Sequence, residues 1–299
     1  MSDPDLARDL LPALAEARAR FMELVAEVRP ELHRYCARMT GNVFDGEDIV
    51  QETLAKAYFA LSEMGEPPPL RGWLFRIAHN AAMDFLRRYE RKNVDLVADL
   101  PDVGEPEDRG PDSALVEAAL RVFAGLPPVQ RSAIVLKDVL GHSLEETAST
   151  MGTTVLAVKA ALVRARANIS APASSTAPSI SVDEKKSLQR YAHLFNARDW
   201  DGLRALLGEE ARVDLVSRWQ RRGGVAAGYY ARYAEVVVAE NLRAEVGFAD
   251  GVPVIAVYRP DSPRPAYFIR LKWEQGRLVH IWDFYFVPYL ATEARFTDG

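Results

Sequence analysis

Apolar residues recur at intervals of three and four through the first half of the chain and alternate with polar ones near its carboxyl end, so helices are expected first and strands last. In residues 5–39, Leu6, Leu10, Leu14, Phe21, Leu24, Val25, Val28, Leu32 and Tyr35 mark one side of two or three amphipathic helices, with Pro12 and Pro30 as breaks or first-turn residues. Gly41-Asn42 stops that run. The next helix, GEDIVQETLAKAYFAL, turns Ile49, Leu54, Ala57, Tyr58 and Leu61 inward, with Asp45 or a neighbour as its cap. Glu47, Asp48, Gln51 and Glu52 are expected on its opposite, exposed side, which by itself reads as a solvated helix face. A proline loop at 65–72 cannot be helical through Pro67-Pro68-Pro69. After it, WLFRIAHNAAMDFLRR is apolar along one stripe and ends in Arg87, Arg88, Arg91 and Lys92; Trp73 stands in the stripe and is expected in the core.

The stretch from 93 to 112 sets Asp95, Asp99, Asp102, Glu105, Glu107, Asp108 and Asp112 against the single base Arg109. It cannot bury enough apolar surface to fold alone and is expected to be a tether. Leu115, Leu120, Phe123 and Leu126 begin another helical region, in which Pro127-Pro128 opens a helix through Leu136 and Val139 that ends at Gly141. The segment LEETASTMGTTVLAVKAALVRAR at 144–166 has the spacing of a helix-turn-helix: small Ala148 where the helices cross, Gly152 at the turn, Val158 and Leu162 as the returning stripe. In such a unit Thr153 and Thr154 at the start of the second helix meet base edges, while Lys159, Arg164 and Arg166 hold phosphates. An ordinary helical hairpin gives the same pattern.

The Ala/Ser/Pro-rich run SAPASSTAPSISV, 170–182, marks a flexible boundary. Beyond it, Leu188, Tyr191, Ala192 and Phe195, then Leu203, Leu206 and Leu207, predict two helices split near 196–199. Strands are expected at 213–216, 252–258, 267–273 and 278–287, with hairpin turns at Asp250-Gly251 and Gln275-Gly276. In 267–273 Tyr267, Ile269, Leu271 and Trp273 alternate inward against outward Arg270 and Lys272.

Composition narrows the function classes. The 299 residues suffice for two or three well-buried cores, and a net charge of -5 argues against a protein that coats nucleic acid with its whole surface, so any DNA contact is local. The single cysteine, Cys36, excludes an internal disulfide, and the five histidines are scattered, so neither metal nor cofactor is expected. The amino-terminal stretch lacks a signal-type apolar core and no run reaches membrane-spanning length, so a cytoplasmic protein without membrane insertion is expected.

The order EDIVQETLAKAYFAL, loop, WLFRIAHNAAMDFLRR, acidic linker, then LPPVQRSAIVLKDVLGHSLEETASTMGTTVLAVKAALVRAR resembles bacterial sigma factors of the extracytoplasmic-function (ECF) type, over residues 21–169. The resemblance implies that Asp48, Gln51 and Glu52 dock on core RNA polymerase. It also implies that the 62–72 loop with Arg76, Asn80, Asp84, Arg87 and Arg88 melts the minus-ten element of promoter DNA and holds flipped bases, a task suited to a basic groove beside a rigid helix. The acidic connector would thread the polymerase cleft. Thr153, Thr154, Lys159, Arg164 and Arg166 would grip the minus-thirty-five element. Ala160-Ala161 departs from the pattern, because related proteins often carry Ser or Arg there, and this implies weaker binding at that element.

Helices followed by an antiparallel sheet ending in GRLVHIWDFYFVPYL resemble the SnoaL-like cone fold, related to polyketide cyclases and ketosteroid isomerases. Enzymes of that fold use a pocket Asp or His as acid and base. His280 and Asp283 are the candidates, yet a separation of three puts them on opposite strand faces unless a bulge intervenes, so a catalytic pair is not expected. Trp219, Tyr233, Trp273, His280 and Asp283 are candidate pocket residues; Tyr229 and Tyr230 line it with them or fill the cone.

The expected architecture is multidomain: an all-α sigma region two at 1–92, the linker at 93–112, an all-α region four with the helix-turn-helix at 113–169, a second linker at 170–182, and an α+β cone-fold SnoaL-like domain at 183–299. The expected function is promoter-specific initiation without catalysis, modulated by the last domain, with an anti-sigma factor or small-molecule ligand as further partner. The alternatives are a cyclase or isomerase, or a ligand-sensing module, carried by a DNA-targeting amino-terminal part.

Overall fold

A computed structural model describes residues 20–64, 68–94, 125–168, 180–222 and 228–299, and excludes the side chains of residues 62–63, 90–94, 219–222 and 232. The expected helices before residue 20, the Pro67 end of the proline loop, the acidic tether after its first two residues, Leu115 to Phe123 and most of the Ala/Ser/Pro run lie outside the described residues. The chain divides into two compact units, 1–175 and 176–299.

In the first unit, α1 (Arg29–Thr40) has Pro30 in its first turn and ends where Gly41, at φ 81°, donates its N–H to the Ala37 carbonyl. Asn42, not Asp45, caps α2 (Val43–Glu63): its side-chain oxygen accepts from the N–H groups of Phe44 and Asp45 at 2.8 and 3.2 Å. The two helices cross closely, because a Cβ on Gly46 would lie 2.6 Å from the Ala37 backbone. The helix α3 (Leu70–Val94) begins three residues before the expected Trp73. Leu32, Tyr35, Met39, Ile49, Val50, Leu74, Phe75 and Ala78 fill the core between them, and Trp73 packs against its edge.

Beyond the tether come α4 (Pro128–Ile134), a π-helical turn (Val135–Val139), α5 (Leu144–Met151) and α6 (Val155–Asn168). The expected single helix through Val139 is thus α-helical only to Ile134. Its neighbouring residues serve two cores: Ala133 and Ile134 pack with Ala148, Val158, Ala161 and Leu162, whereas Val135 and Leu136 enter the core of α1 to α3. The two expected all-α regions therefore share apolar packing.

The second unit places α7 (Val182–Asn196), α8 (Trp200–Ala205) and α9 (Gly228–Ala239) with a seven-stranded sheet of β1 (Leu207–Leu215), β2 (Trp219–Arg222), β3 (Arg243–Ala249), β4 (Val252–Tyr258), β5 (Tyr267–Glu274), β6 (Arg277–Asp283) and β7 (Phe296–Asp298). A short α10 (Tyr289–Glu293) precedes β7. The order is β2-β1-β6-β5-β4-β3-β7, antiparallel except where β1 runs parallel to β6. Asp250 and Gly251, at φ 49° and 78°, and Gln275 and Gly276, at 50° and 75°, occupy left-handed conformations at both central turn positions, as tight hairpins require. The strand expected to run to 287 stops at Asp283, and β1 begins earlier than expected, at Leu207. Leu188, Tyr191 and Phe195 of α7 pack on Val213, Ile255, Ile269 and Ile281 in the central core.

Candidate nucleic-acid interface

Arg76, Asn80, Asp84, Arg87 and Arg88 are all exposed on α3, the first three at four-residue steps and the two arginines three and four residues after Asp84, opposite the buried Leu74, Phe75, Ala78 and Ala82. Asp84 holds Arg87 at 2.6 Å, and its carbonyl accepts from Arg88 at 3.3 Å. A solvent-exposed pair of this kind contributes little to stability, so Arg87 can exchange it for a phosphate at small cost.

The acidic helix α2 requires a correction. Glu47, expected outside, is buried and ion-paired with Arg29. It lies beside Ile49 and Val50 on the inward side, and Arg29 supplies the countercharge that makes burial tolerable. Asp48 is exposed, whereas Gln51 and Glu52 are half-buried; Gln51 donates to Glu47 at 3.4 Å and Glu52 pairs with Lys56 at 2.6 Å. Further along, Phe59 is 70% exposed.

The helix-turn-helix is built as its sequence dictates. Ser143 and Glu146 form a reciprocal capping box at the start of α5, and Gly152 at φ 61° makes the turn. Thr153 is exposed in the turn before the second helix, α6, and Lys159 and Arg164 are exposed on it. Thr154 is also exposed, but its hydroxyl oxygen caps α6 by accepting the Ala157 N–H at 3.2 Å. Arg166 is held by both carboxylate oxygens of Asp138 at 2.9 Å.

Two buried contacts and one half-buried contact join the α1–α3 core to the α4–α6 segment. The Tyr35 hydroxyl meets His79 Nδ1 at 2.8 Å and Ser132 Oγ at 2.9 Å, and burial pushes the His79 pKa down to about 4, so the imidazole is neutral near pH 7. Arg131 donates to the Met39 carbonyl across the junction and to the Leu126 carbonyl at 3.1 Å within its own segment. Arg71 of α3 bridges Glu31 at 2.6 Å and His142 at 2.9 Å.

In the second unit, the Asp283 carboxylate is fully buried, accepting from the Tyr229 hydroxyl at 2.5 Å and from the Tyr285 N–H at 2.9 Å. Burial lifts its pKa to about 6 despite those bonds. Tyr233 bonds Tyr267, and Tyr230 donates to Tyr191 at 3.2 Å, so the hydroxyls of α9 are spent on the core. A cavity of about 510 Å³ lies above them, lined by Leu215, Arg218, Tyr229, Tyr233, Val236, Tyr285 and Phe286. Of the expected pocket residues Tyr233 lines it, as does Tyr229, whereas Tyr230 is turned into the core. Asp283 sits behind Tyr229. His280 is on the other sheet face, bonded to Asp214 at 3.0 Å and stacked on Trp282, as its odd separation from Asp283 requires. Trp273 pairs with Leu278 at the far end of the β5–β6 hairpin, whereas Asp283 pairs with Ile269 at the cavity end. The Trp219 side chain is outside the described residues. The missed lining residue Val236 follows Tyr229 and Tyr233 at helical spacing, a signal the sequence carried once α9 is recognised.

The Asp283 environment predicts a pH effect. The folded pKa of about 6 lies above the ordinary 3.8, so the native unit holds the proton more tightly than the unfolded chain. Stability is therefore expected to fall as pH rises from about 4 to about 6, by on the order of 2 kcal/mol, and to change little above that through this group. Thermal unfolding of the second unit across this range should show the decline, and Asp283→Asn should flatten it.

An exposed basic stripe on α3, an acidic edge on α2 and a helix-turn-helix thus lie on one packed unit. Residues 24–92 match the family model for Sigma-70 region 2, and residues 117–169 that for Sigma-70, region 4. The chain is 30% identical over 275 residues to the ECF RNA polymerase sigma factor SigG of Mycobacterium tuberculosis (strain CDC 1551 / Oshkosh), covering 81% of this chain and 74% of that one. Among solved structures, the Mycobacterium tuberculosis ECF sigma factor SigJ is 22% identical at a TM-score of 0.35, covering 88% of this chain and 95% of that one. An NTF2-like protein from Cytophaga hutchinsonii is 12% identical at a TM-score of 0.25, covering 35% and 90%. The chain belongs to the ECF RNA polymerase sigma factors, alternative sigma factors that direct transcription initiation. Among the described residues no helix is long and apolar enough to cross a membrane.

Proposed function

We propose that Asp48, Gln51 and Glu52 on α2 dock on core polymerase, that Arg76, Asn80, Asp84, Arg87 and Arg88 on α3 capture the melted minus-ten strand, and that Thr153 just before α6 and Lys159 and Arg164 on it hold the minus-thirty-five element. Thr154 fixes the start of that helix, and Arg166 reaches phosphate only by releasing Asp138. The exposure of the whole α3 set on one stripe is the observation that carries this reading. In this account regions two and four span 1–92 and 113–169, joined by the 93–112 linker, with the 170–182 linker before the α+β domain at 183–299, and the protein works in the cytoplasm.

The two promoter elements lie about 25 base pairs apart, roughly 85 Å along B-DNA. The junction built by Tyr35, His79, Ser132 and Arg131 holds the two regions together, so it opens when the chain engages core polymerase with its regions set apart to span the promoter. The α+β domain modulates that step without chemistry of its own: Asp283 is sealed behind Tyr229, and His280 faces the other side of the sheet. The cavity beside Arg218 and Phe286 favours a second role for it as a sensor of a small-molecule ligand, beside or in place of an anti-sigma factor. Deleting everything after Val182 tests the modulation. Promoter-directed transcription and polymerase affinity should change severalfold, and unchanged values for both would sink the proposal.

A further inference from the structure

We propose that α6 reads the minus-thirty-five element largely through the methyl groups of thymines, with Leu156 as the principal contact and Ala160 and Val163 beside it. The inference rests on the assignment of α6 to that element. Leu156 is 78% exposed and Val163 is 68% exposed, on a helix whose Val158, Ala161, Leu162 and Ala165 are buried. Residues 156, 160 and 163 follow one another at four and three positions, so they form one apolar stripe facing away from the core. A lone exposed apolar side chain needs no explanation. This stripe occupies the outward face of the second helix of a helix-turn-helix, starting two residues after its cap, where such helices meet the major groove.

The polar alternatives on the same helix are few. Thr154 is engaged as the cap, Arg166 is held by Asp138, and Asn168 at the far end donates to Gln130 at 2.9 Å. The sequence VLAVKAALVRARAN places no Gln, Glu or Asp along α6, and its one Asn is that last residue, so the usual two-toothed amide contact to adenine and carboxylate contact to cytosine are lacking in the first three turns. In the major groove the apolar group offered by a base edge is the C5-methyl of thymine. Lys159, Arg164 and Arg166 flank the stripe with no carboxylate on the helix, which suits a polyanion better than an apolar protein face. Ala160 and Ala161 thereby divide in role: Ala161 is 1% exposed and packs in the core, while Ala160 leaves room for a methyl to approach.

The test uses full-length chain with core polymerase. Duplexes with a randomised upstream element are selected for holoenzyme binding, and the best is resynthesised with deoxyuridine in place of each thymine, which removes only the methyl. Selected elements should contain thymines whose replacement weakens binding about fourfold each, the value of one buried methyl-sized group. Leu156→Ala should bind the thymine duplex severalfold more weakly and lose the discrimination between thymine and uracil at one position, a coupling that the four-way comparison isolates. Leu156 is exposed, so its variant should unfold at the unchanged temperature. Equal binding of thymine and uracil duplexes, or discrimination undiminished in Leu156→Ala, would overturn the proposal while leaving α6 as the reader of the element. Selection of no upstream sequence at all would overturn the assignment of α6 as well.

Discussion

Replacing Glu47 with alanine is expected to lower the stability of the amino-terminal unit by about 3–5 kcal/mol, the usual cost of stranding one member of a buried ion pair. The side chains of Arg29 and Glu47 are 8% and 1% exposed, so water cannot take over when the carboxylate is removed. Chemical denaturation of the full chain measures the loss. Asp48→Ala, one residue further on and exposed, should leave the midpoint almost unchanged while weakening polymerase binding. The paired change Arg29→Met with Glu47→Leu should recover much of the stability, since two apolar groups leave no charge unpaired. A Glu47→Ala protein as stable as the parent would mean that the pair is hydrated in solution.

The second large effect is expected at the junction between the two DNA-engaging regions. Arg131→Ala removes the donor to the Met39 carbonyl, one of the hydrogen bonds that cross the junction, and leaves that carbonyl buried without its partner in the closed state. The closed state should lose about 1–3 kcal/mol, whereas the open state, in which water reaches the carbonyl, loses less. Where only a fraction of molecules is open, apparent affinity scales with that fraction, so core polymerase should bind the variant roughly tenfold more tightly. Tyr35→Phe, which deletes the bridge to Ser132 and His79, should act in the same direction. Titration against core polymerase measures both, and weaker or unchanged binding would show that the junction does not limit access.

Much of this organisation was legible in the sequence because its signals are local. The turn of the helix-turn-helix rests on Gly152, the hairpins on Asp250-Gly251 and Gln275-Gly276, and the exposed stripe of α3 on helical spacing, each set by a few neighbouring residues. Glu47 was misplaced because its burial depends on Arg29, eighteen positions earlier and on another helix, and no periodicity reports a distant countercharge. The shared packing of Val135 and Leu136 was invisible for the same reason, since an apolar residue does not name the core it enters. In the α+β unit, strand parity correctly separated His280 from Asp283. The cavity, however, is made by α9, whose tyrosines alone did not announce a helix, and Trp273 fell at the wrong end of a strand whose inward face was read correctly.

The account as a whole is tested most directly by mapping transcript start sites with core polymerase, with and without the full-length chain, on a library of random-sequence templates. The chain should create starts at a fixed distance downstream of a two-part sequence, with its halves about 25 base pairs apart. A distribution of starts identical to that of core polymerase alone would contradict it.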